Sequence, residues 1–356
     1  MTLDSREIIN ALKRGETIEG ADLSGMDFSG LDLSGGVFLN VVARGAHFSE
    51  AGMEKVFFKD CILSGSHWKA ARLNQATFMG CRLDGTSFEM VSAISSRWIN
   101  PEGPGCRFSG SILKKSSWIK GNIEGATFEG ADLEKSSFMN IHFGKTDFSR
   151  ARIIKTVFVS PDLSGACFKG TVFQNPIFIK AILRGLDFSG MHLPLIQASA
   201  SDLRQTRWIN ANLSLANFHQ SDMSDAIFDG AVAEKALFTG AELKNISIRK
   251  ACFRMSSFQK ATLSGADLSG ADLTYCSLTE ADCSKTNFSG SDLSFSDLSH
   301  ANLSGALFSG ATLNRTNLHR AQETRADFAG SSRALARETD PERAEAEDFI
   351  PRRISE

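Results

Sequence analysis

The sequence is poor in several residue types that globular domains ordinarily use. It has seven prolines and one tyrosine among 356 residues, and no stretch approaches the roughly 18 consecutive apolar residues of a membrane span. The formal net charge is only −2, which gives no reason to expect a nucleic acid or an anionic membrane as a partner. The opening, MTLDSREIINALKRG, has no continuous apolar signal region. We therefore expect a cytoplasmic protein without a membrane span.

Phenylalanine, by contrast, is abundant and regularly spaced. Counting in fives from Leu23 to Phe328 gives 62 positions, and this one frame contains 24 of the 27 phenylalanines and all four tryptophans. The positions two residues earlier, from Ala21 to Ala326, are mostly small and never charged. The frame therefore predicts two inward residues in every five, a large centre and a small companion. The other three positions face solvent and carry the charge.

A period of five fits neither a helix nor a strand, so the chain must turn a corner once in every five residues. Of the 30 glycines, 24 lie two residues after a centre, where a turn with positive φ favours a residue without Cβ. On a period of twenty, 20 of these 24 glycines fall in two of four columns. Four pentads therefore make one coil of a solenoid.

Two segments are near-consensus copies of a known motif: SGADLSGADLTYCSL (264 to 278) and SHANLSGALFSGATL (299 to 313). They resemble the A(D/N)Lxx motif of the pentapeptide repeat family, and the resemblance extends over about 23 to 330. It implies an all-β fold, a right-handed quadrilateral parallel β-helix whose coils stack through backbone hydrogen bonds. Sixty-two pentads on four faces predict about 15 coils.

The ends of the frame have a different character. Residues 4 to 14 favour a short helix, with Asp4 as N-cap, Glu7 three residues later and Gly15 at its exit. Such a helix would cover the exposed edge of the first coil. We expect three regions: an N-terminal capping helix in 1–19, the β-helix in 20–330, and a charged, mobile C-terminal tail in 331–356.

Two segments depart from the motif while keeping its phase. WINPEGPGCRF (98 to 108) and HLPLIQASASDL (192 to 203) contain prolines and a small centre, Gly103 or Ala198. Because proline removes a ladder donor and a small centre leaves a void, we expect bulges or bends here. Whether they serve a function stays open.

The sequence carries no constellation for catalysis. The aromatic centres fill the interior and leave no cavity for a substrate, so we predict no enzyme, no small-molecule substrate and no cofactor. His47 and His67 are twenty apart and therefore adjacent on one outer face, but no third ligand has a suitable spacing, and we predict no metal site. Five cysteines take inward positions and are interpreted as core thiols in a reducing compartment: Cys61, Cys81, Cys106, Cys276 and Cys283.

One outward column is apolar, whereas the equivalent columns on the other faces are dominated by polar and charged residues. A contiguous column of exposed apolar residues is typical of a binding surface. The alternatives are the preference of β-branched residues for a flat coil face, and cover by the N-terminal helix or the tail. We predict that a partner binds this apolar stripe, which comprises Val37, Leu39, Phe57, Met79, Ile99, Ile119, Met139, Val157, Val159, Ile177 and Ile179.

The edge of the same face carries a second candidate set. Its members lie two residues after a centre, at the corner that precedes the apolar stripe. They are basic at first and apolar further along the chain. We predict that they are secondary partner-binding residues: Lys115, Lys135, Lys155, Leu195, Leu215, Met255, Tyr275 and Phe295.

These features favour a non-enzymatic scaffold or adaptor that binds a protein, either a second copy in a homodimer or a different partner. The family resemblance implies an alternative, since some pentapeptide repeat proteins imitate duplex DNA and bind type II topoisomerases such as gyrase. Those proteins carry a strongly acidic surface, and here residues 101–200 have a net charge of +4 and residues 201–300 of −3. A further alternative is an accessory protein of a bacterial secretion system, because this chain resembles pentapeptide repeat components of such systems in its length and in its opening, LSGMDFSGLDLSGG. No nucleic acid is expected as partner.

Overall fold

The structure is a computed structural model that describes residues 4 to 349. Backbone contacts divide the chain into two compact units, Met1–Leu183 and Arg184–Glu356. In both units the residue just before a centre typically forms a parallel bridge with the residue twenty positions later, as Asp22 does with Val42 and Asp187 with Arg207. This spacing confirms the predicted parallel β-helix with four pentads in each coil. Among the described residues, no helix is long and apolar enough to cross a membrane.

The first unit contains a nine-stranded parallel sheet that runs along one face. Its nine strands pair in the order in which they occur along the chain, and the eighth and tenth strands of the chain form a separate two-stranded sheet. Each strand is two or three residues long because a corner follows. The strands are β1 Ile18–Glu19, β2 Val37–Leu39, β3 Phe57–Lys59, β4 Thr77–Met79, β5 Arg97–Ile99, β6 Ser117–Ile119, β7 Ser137–Met139, β8 Arg152–Ile154, β9 Val157–Val159, β10 Val172–Gln174 and β11 Ile177–Ile179.

The second unit keeps the pairing but replaces strands with single bridges, from Asp187↔Arg207 to Asn317↔Arg337. In the described residues, extended strands therefore define about eight coils, all in the first unit, and the coil count differs from the predicted 15. Single bridges also pair the other faces of the first unit, as between Asp22 and Val42.

The corners adopt the left-handed conformation whether or not they contain glycine. Gly25 has φ of 67°, but Asn40 and Lys55 have similar values of 51° and 58°. Aspartates before the centres support these corners: the Asp22 carboxylate accepts the backbone N–H of Ser24 at 2.9 Å, and other aspartates repeat this bond. The motif's D/N position is therefore a turn device.

The interior of the first unit is filled by two stacks of aromatic rings. Trp98 lies between Phe78 and Trp118, with ring centroids 4.3 and 4.6 Å away, and its edge meets Phe108 of the facing stack at 5.4 Å. All four tryptophans are fully buried, and each indole N–H donates to a Ser or Thr hydroxyl two residues earlier. The small companion thus satisfies the one polar group of the large centre.

The bulges predicted at 98–108 and 192–203 are absent from the described pairing within each unit. Glu102 bridges both Arg82 and Asn122, and Gln197 bridges Asn217, all in register. The prediction was wrong because the prolines occupy positions whose N–H is not used between coils. In the described backbone bonding, the N–H at the small companion position makes no backbone bond between coils and typically bonds to the preceding centre, as Ala76 does to Leu73, so Pro101 interrupts no ladder. The small centre leaves little space, since a Cβ on Gly103 would lie 3.0 Å from that of Leu83.

Helices lie at both ends of the described chain. The helix α1 spans Ser5–Lys13, with the expected capping box: Asp4 accepts the Glu7 N–H at 2.8 Å, and Glu7 accepts the Asp4 N–H at 3.0 Å. After the last coil come a 3-10 helix, Arg333–Leu335, and the helix α2, Pro341–Asp348. The boundaries 1–19, 20–330 and 331–356 and the mobility of the tail stay predictions, and residues 1–3 and 350–356 lie outside the described residues.

The helix α2 is held to the last coil by Glu347. Its carboxylate accepts from His319 at 3.1 Å and from Arg343 at 2.8 Å, and it lies 3.3 Å from both His300 and Arg320. The hydrogen bond from His319, followed by the interactions with Arg343 and His300, lowers the pKa of Glu347 to about 2. The contact of α2 with the coil therefore includes a charged carboxylate, beside the bonds that Arg320 donates to the Ala344 carbonyl and to Asp348.

Acid should release α2. Because the pKa of Glu347 is lowered from its ordinary value of 4.5 to about 2, its contribution is complete above pH 4.5 and is lost as the pH falls towards 2. Hydrogen exchange of 341–348 should accelerate across this window relative to the coils, after correction for intrinsic rates. In Glu347→Gln the exchange should already be fast at neutral pH, whereas Glu345→Gln, on the same helix, should behave as wild type. Equal protection in both variants would contradict the anchoring role.

Candidate docking face

The structure places the eleven residues of the apolar stripe on one face of the nine-stranded sheet. The middle residue of each strand points inward and the first and third point outward, as in Val157–Val159 around the buried Phe158. Parallel pairing aligns the third residues, so Ile99 is opposite Ile119 and Ile119 is opposite Met139. The stripe is therefore a continuous surface.

The side chains of the stripe are only partly exposed. Met139 and Ile179 are the most accessible, at 39% each, and the other nine are half-buried between their neighbours in the sheet. Lys59 interrupts the third-residue column between Leu39 and Met79. From Met79 to Ile179 six consecutive strands carry an aliphatic or Met side chain, which makes this the most continuous part of the stripe.

The predicted secondary residues divide between the two units. Lys115, Lys135 and Lys155 are exposed at left-handed corners beside the stripe, with φ of 57°, 59° and 51°. The other five lie in the second unit at equivalent corners, with φ between 59° and 62° and exposures of 40 to 53%: Leu195, Leu215, Met255, Tyr275 and Phe295.

The corner residues of the second unit form a ridge of their own. Tyr275 and Phe295 stack at 4.9 Å with an interplanar angle of 3°, and the Arg315 guanidinium lies 5.7 Å from the Phe295 ring. Large side chains at positive φ are unfavourable compared with glycine. At Tyr275 and Phe295 the stacking of the two rings offsets part of this cost.

Sequence reasoning missed the opposite edge of the stripe. Lys120 and Lys180 occupy left-handed corners directly after β6 and β11 and are exposed. Reading the corner column twenty residues apart would have found them. A shallow depression lies near this face and is lined by Lys55, Gln75, Thr77, Ser95 and Arg97.

The histidines give one expected and one unexpected arrangement. The rings of His47 and His67 stack at 4.8 Å, as their spacing predicted. His300, His319 and Glu347 also come together, with ligand atoms within 4.8 Å of one another. His300 and His319 are nineteen residues apart, close to one coil, and this spacing is consistent with their contact. The approach of Glu347 to them could not be predicted, because the segment that carries it does not follow the repeat.

This second cluster is arranged as an ion-paired contact and not as a metal site. The Nδ1 of His319 accepts the backbone N–H of Asp340 at 3.1 Å, so the ring proton is on Nε2, which donates to Glu347. A metal on Nε2 would require that proton to leave while Nδ1 still accepts. Arg320 and Arg343 already neutralise the carboxylate.

The inward cysteines are buried free thiols, as predicted. Burial raises the pKa of Cys106 and of Cys276 to about 12 each. Cys61 and Cys81 are adjacent in one column, and the hydrogen bond between them lowers the pKa of Cys61 and raises that of Cys81. Cys81, Cys106 and Cys276, whose pKa values are raised, are held protonated and are therefore poor nucleophiles.

Several solved structures are similar to this chain. QnrB1, a plasmid-mediated fluoroquinolone resistance protein, is 18% identical over 65% of this chain and 96% of its own, with a TM-score of 0.23. HetL of the cyanobacterium Nostoc sp. strain PCC 7120, involved in heterocyst differentiation regulation, is 18% identical over 95% and 98%, with a TM-score of 0.15. Rfr23 of the cyanobacterium Cyanothece 51142 is 21% identical over 45% and 88%, with a TM-score of 0.17. No curated protein matches the chain significantly.

Family models match much of the sequence. The model described as pentapeptide repeats matches in eight copies, and the model described as a pentapeptide repeat region matches residues 51–128. Together they cover more than half of the chain. The eight copies fall in 27–65, 136–175, 199–232, 256–294 and 291–330.

Proposed function

Because the chain belongs to the pentapeptide repeat family, we propose that it is a non-enzymatic scaffold that docks a protein on the apolar stripe of its first unit. The observation that carries the proposal is the register of the sheet. It aligns the aliphatic side chains of six consecutive strands, from Met79 to Ile179, without a polar residue between them. At about 4.8 Å per strand, this part of the face is ~24 Å long.

Strand propensity alone does not account for the stripe. The separate sheet of β8 and β10 has the same parallel pairing and the same three-residue strands. Its outward residues nevertheless include Arg152 and Gln174 beside Ile154 and Val172. A flat coil face therefore accepts polar side chains, and the stripe has an apolar surface on the order of 500 Å², towards the upper end of the range that monomers show.

The stripe favours a scaffold over the other two candidate functions. A DNA-mimicking modulator of gyrase would present acidic side chains, whereas lysines lie at both edges of this face. A secretion-system accessory protein would differ in the partner's identity and not in the docking surface. The cytoplasm stays the expected compartment, and Lys115, Lys135 and Lys155 stay the secondary contacts on this unit.

Placing charge on the stripe should abolish docking. We expect Ile99→Asp, Met139→Asp and Ile179→Asp, combined in one variant, to weaken partner binding or self-association by at least about tenfold, because each carboxylate would have to be desolvated in the interface. The three positions lie on alternate strands, which keeps the new charges from facing each other. Light scattering gives the oligomeric state, and affinity capture followed by mass spectrometry identifies partners.

A matched control places the same charges elsewhere. Ile62→Asp, Val172→Asp and Val232→Asp change outward aliphatic residues outside the stripe that bridge no carboxylate in the described pairing. Circular dichroism should show both triple variants to be folded. If the stripe variant is folded and keeps the oligomeric state and the partners of the control, the proposed docking face is wrong. Inhibition of gyrase supercoiling by the wild type would favour the DNA-mimic alternative instead.

A further inference from the structure

The apolar stripe is bordered by positive charge over its last five coils. Each coil has four outward positions on this face, two on the strand and one at each corner, which gives twenty positions between 95 and 180. Six of them are cationic and none is a carboxylate. The cationic residues, named the basic rim here, are Arg97, Lys115, Lys120, Lys135, Lys155 and Lys180.

This charge pattern is specific to the stripe face. On a chain whose net charge is −2, acids and bases are elsewhere intermixed. Over the same coils, each of the other three faces of the first unit carries carboxylates at the equivalent positions. These are Glu102, Glu124 and Asp162 on one face, Glu129 and Asp147 on the next, and Asp132 and Glu134 on the third.

The cations of the rim are largely unpaired. Lys135 lies 3.6 Å from Glu134, which is itself shared with Lys114. Within the described residues, the other five members of the rim have no carboxylate within 4 Å. All six are exposed. The rim therefore keeps its charge available for a molecule that covers the stripe.

A second copy of the chain does not fit this face. In a two-fold dimer formed through this face, the axis lies in the plane of the interface. Each edge of the face then lies opposite either the same edge or the other edge of the second copy. Lys115 and Lys155 would then face their own copies, or would face the edge that carries Lys120 and Lys180. Because the face has no carboxylate over these coils, an arrangement that places these coils opposite their own copies brings like charges together in a desolvated interface.

An anionic lipid surface does not fit either. Interfacial binding buries apolar side chains ~5–10 Å into the headgroup region. The stripe side chains are half-buried in a flat sheet, and over these coils the outward positions include no Trp, Tyr or Phe. The stripe can be covered by a complementary surface but cannot be inserted.

Extending the proposed function, we infer that the partner contributes an acidic amphipathic helix, whose apolar side lies along the stripe and whose carboxylates meet the basic rim. Successive turns of a helix are ~5.4 Å apart, close to the ~4.8 Å between strands, so one apolar side chain per turn can follow the rows of the sheet. Four strand steps span ~19 Å, which about 13 helical residues cover. The inference rests on the stripe being a docking face.

Three synthetic helical peptides of equal leucine content test the inference. One carries Glu at all other positions, one carries Lys, and one has the Glu composition scrambled so that its leucines do not form a stripe. Binding to the full chain is measured by fluorescence anisotropy at low and high salt. We expect the acidic stripe peptide to bind at least about tenfold more tightly than the other two, and to weaken as salt rises.

The charge-reversed variant and its control both replace lysines at corners with the same left-handed backbone conformation. Lys115→Glu with Lys155→Glu changes two rim corners, whereas Lys250→Glu with Lys285→Glu changes two corners of the second unit, and all four have φ between 51° and 58°. The rim variant should bind the acidic peptide at least about tenfold more weakly and the control should match wild type. Both should melt at the same temperature.

Each outcome decides between the two proposals. If the rim variant binds as the control does, if the basic peptide binds best, or if no peptide binds, the acidic-helix partner is wrong. The docking face itself fails only if the stripe variant retains its partners and its oligomeric state. Binding to phosphatidylglycerol vesicles but to no peptide would replace the helix with a lipid surface.

Discussion

Replacing Trp98 by alanine should destabilise the first unit by about 3 to 5 kcal/mol. The indole is fully buried, stacked between Phe78 and Trp118 and in edge contact with Phe88 and Phe108. Alanine removes its contacts with both stacks at once. Because the coils above and below are held by their own backbone bonds, the cavity has little means to collapse.

Two further variants separate the components of this effect. Trp98→Phe keeps a ring in the stack and should cost less than alanine. Ser96→Ala leaves the indole N–H, which donates to Ser96 Oγ at 2.9 Å, without a partner and should cost about 1–3 kcal/mol. Hydrogen exchange resolves the loss coil by coil, since a solenoid need not unfold in one step. A loss below about 1.5 kcal/mol for alanine would show that the aromatic stack is not close-packed.

The second large effect is expected from Gly121→Ala. Gly121 has φ of 99°, and a Cβ would lie 2.7 Å from Cδ and 2.8 Å from N of Pro101 and would also collide with the Pro101 carbonyl oxygen. A rigid proline ring and a backbone carbonyl cannot move aside as a flexible side chain does. We expect a loss of about 3 kcal/mol or more, from backbone strain and the clash together.

Gly125 provides the matched control in the same coil. Its φ is 67°, and a Cβ there would meet nothing within 4 Å. Gly125→Ala should therefore cost only about 1 to 2 kcal/mol, the ordinary penalty of the left-handed conformation. Urea denaturation of both variants measures the difference. Equal losses would mean that the backbone around Pro101 relaxes, and that the close approach of these two coils is not rigid.

Much of the fold could be predicted because the core imposes a strict spacing. Phe158 and Thr156 were assigned inward positions from the five-residue frame alone, and both are buried. The effect of proline was misjudged because the frame does not show which N–H groups pair between coils, and Pro101 occupies one that does not.

The candidate site could be predicted in part. The period of twenty alone predicts that Ile119, Met139 and Val159 lie in one column, and the sheet register agrees. The contact of Glu347 with His319 could not be found in this way, because a helix that returns to the last coil follows no repeat. The count of extended strands was likewise beyond the pattern.

Because residues i and i+20 pair, the core and the outer surface restrict insertions and deletions in different ways. The buried aromatic frame would survive the loss or gain of any whole pentapeptide, because the next five residues again present a centre and a small companion. The apolar stripe would not, because each lost pentapeptide rotates everything after it by a quarter turn onto another face. From Val37 to Ile179 the stripe stays on one face. The core thus accepts length changes in multiples of five residues, whereas the apolar stripe of the first unit is preserved only by length changes in multiples of twenty.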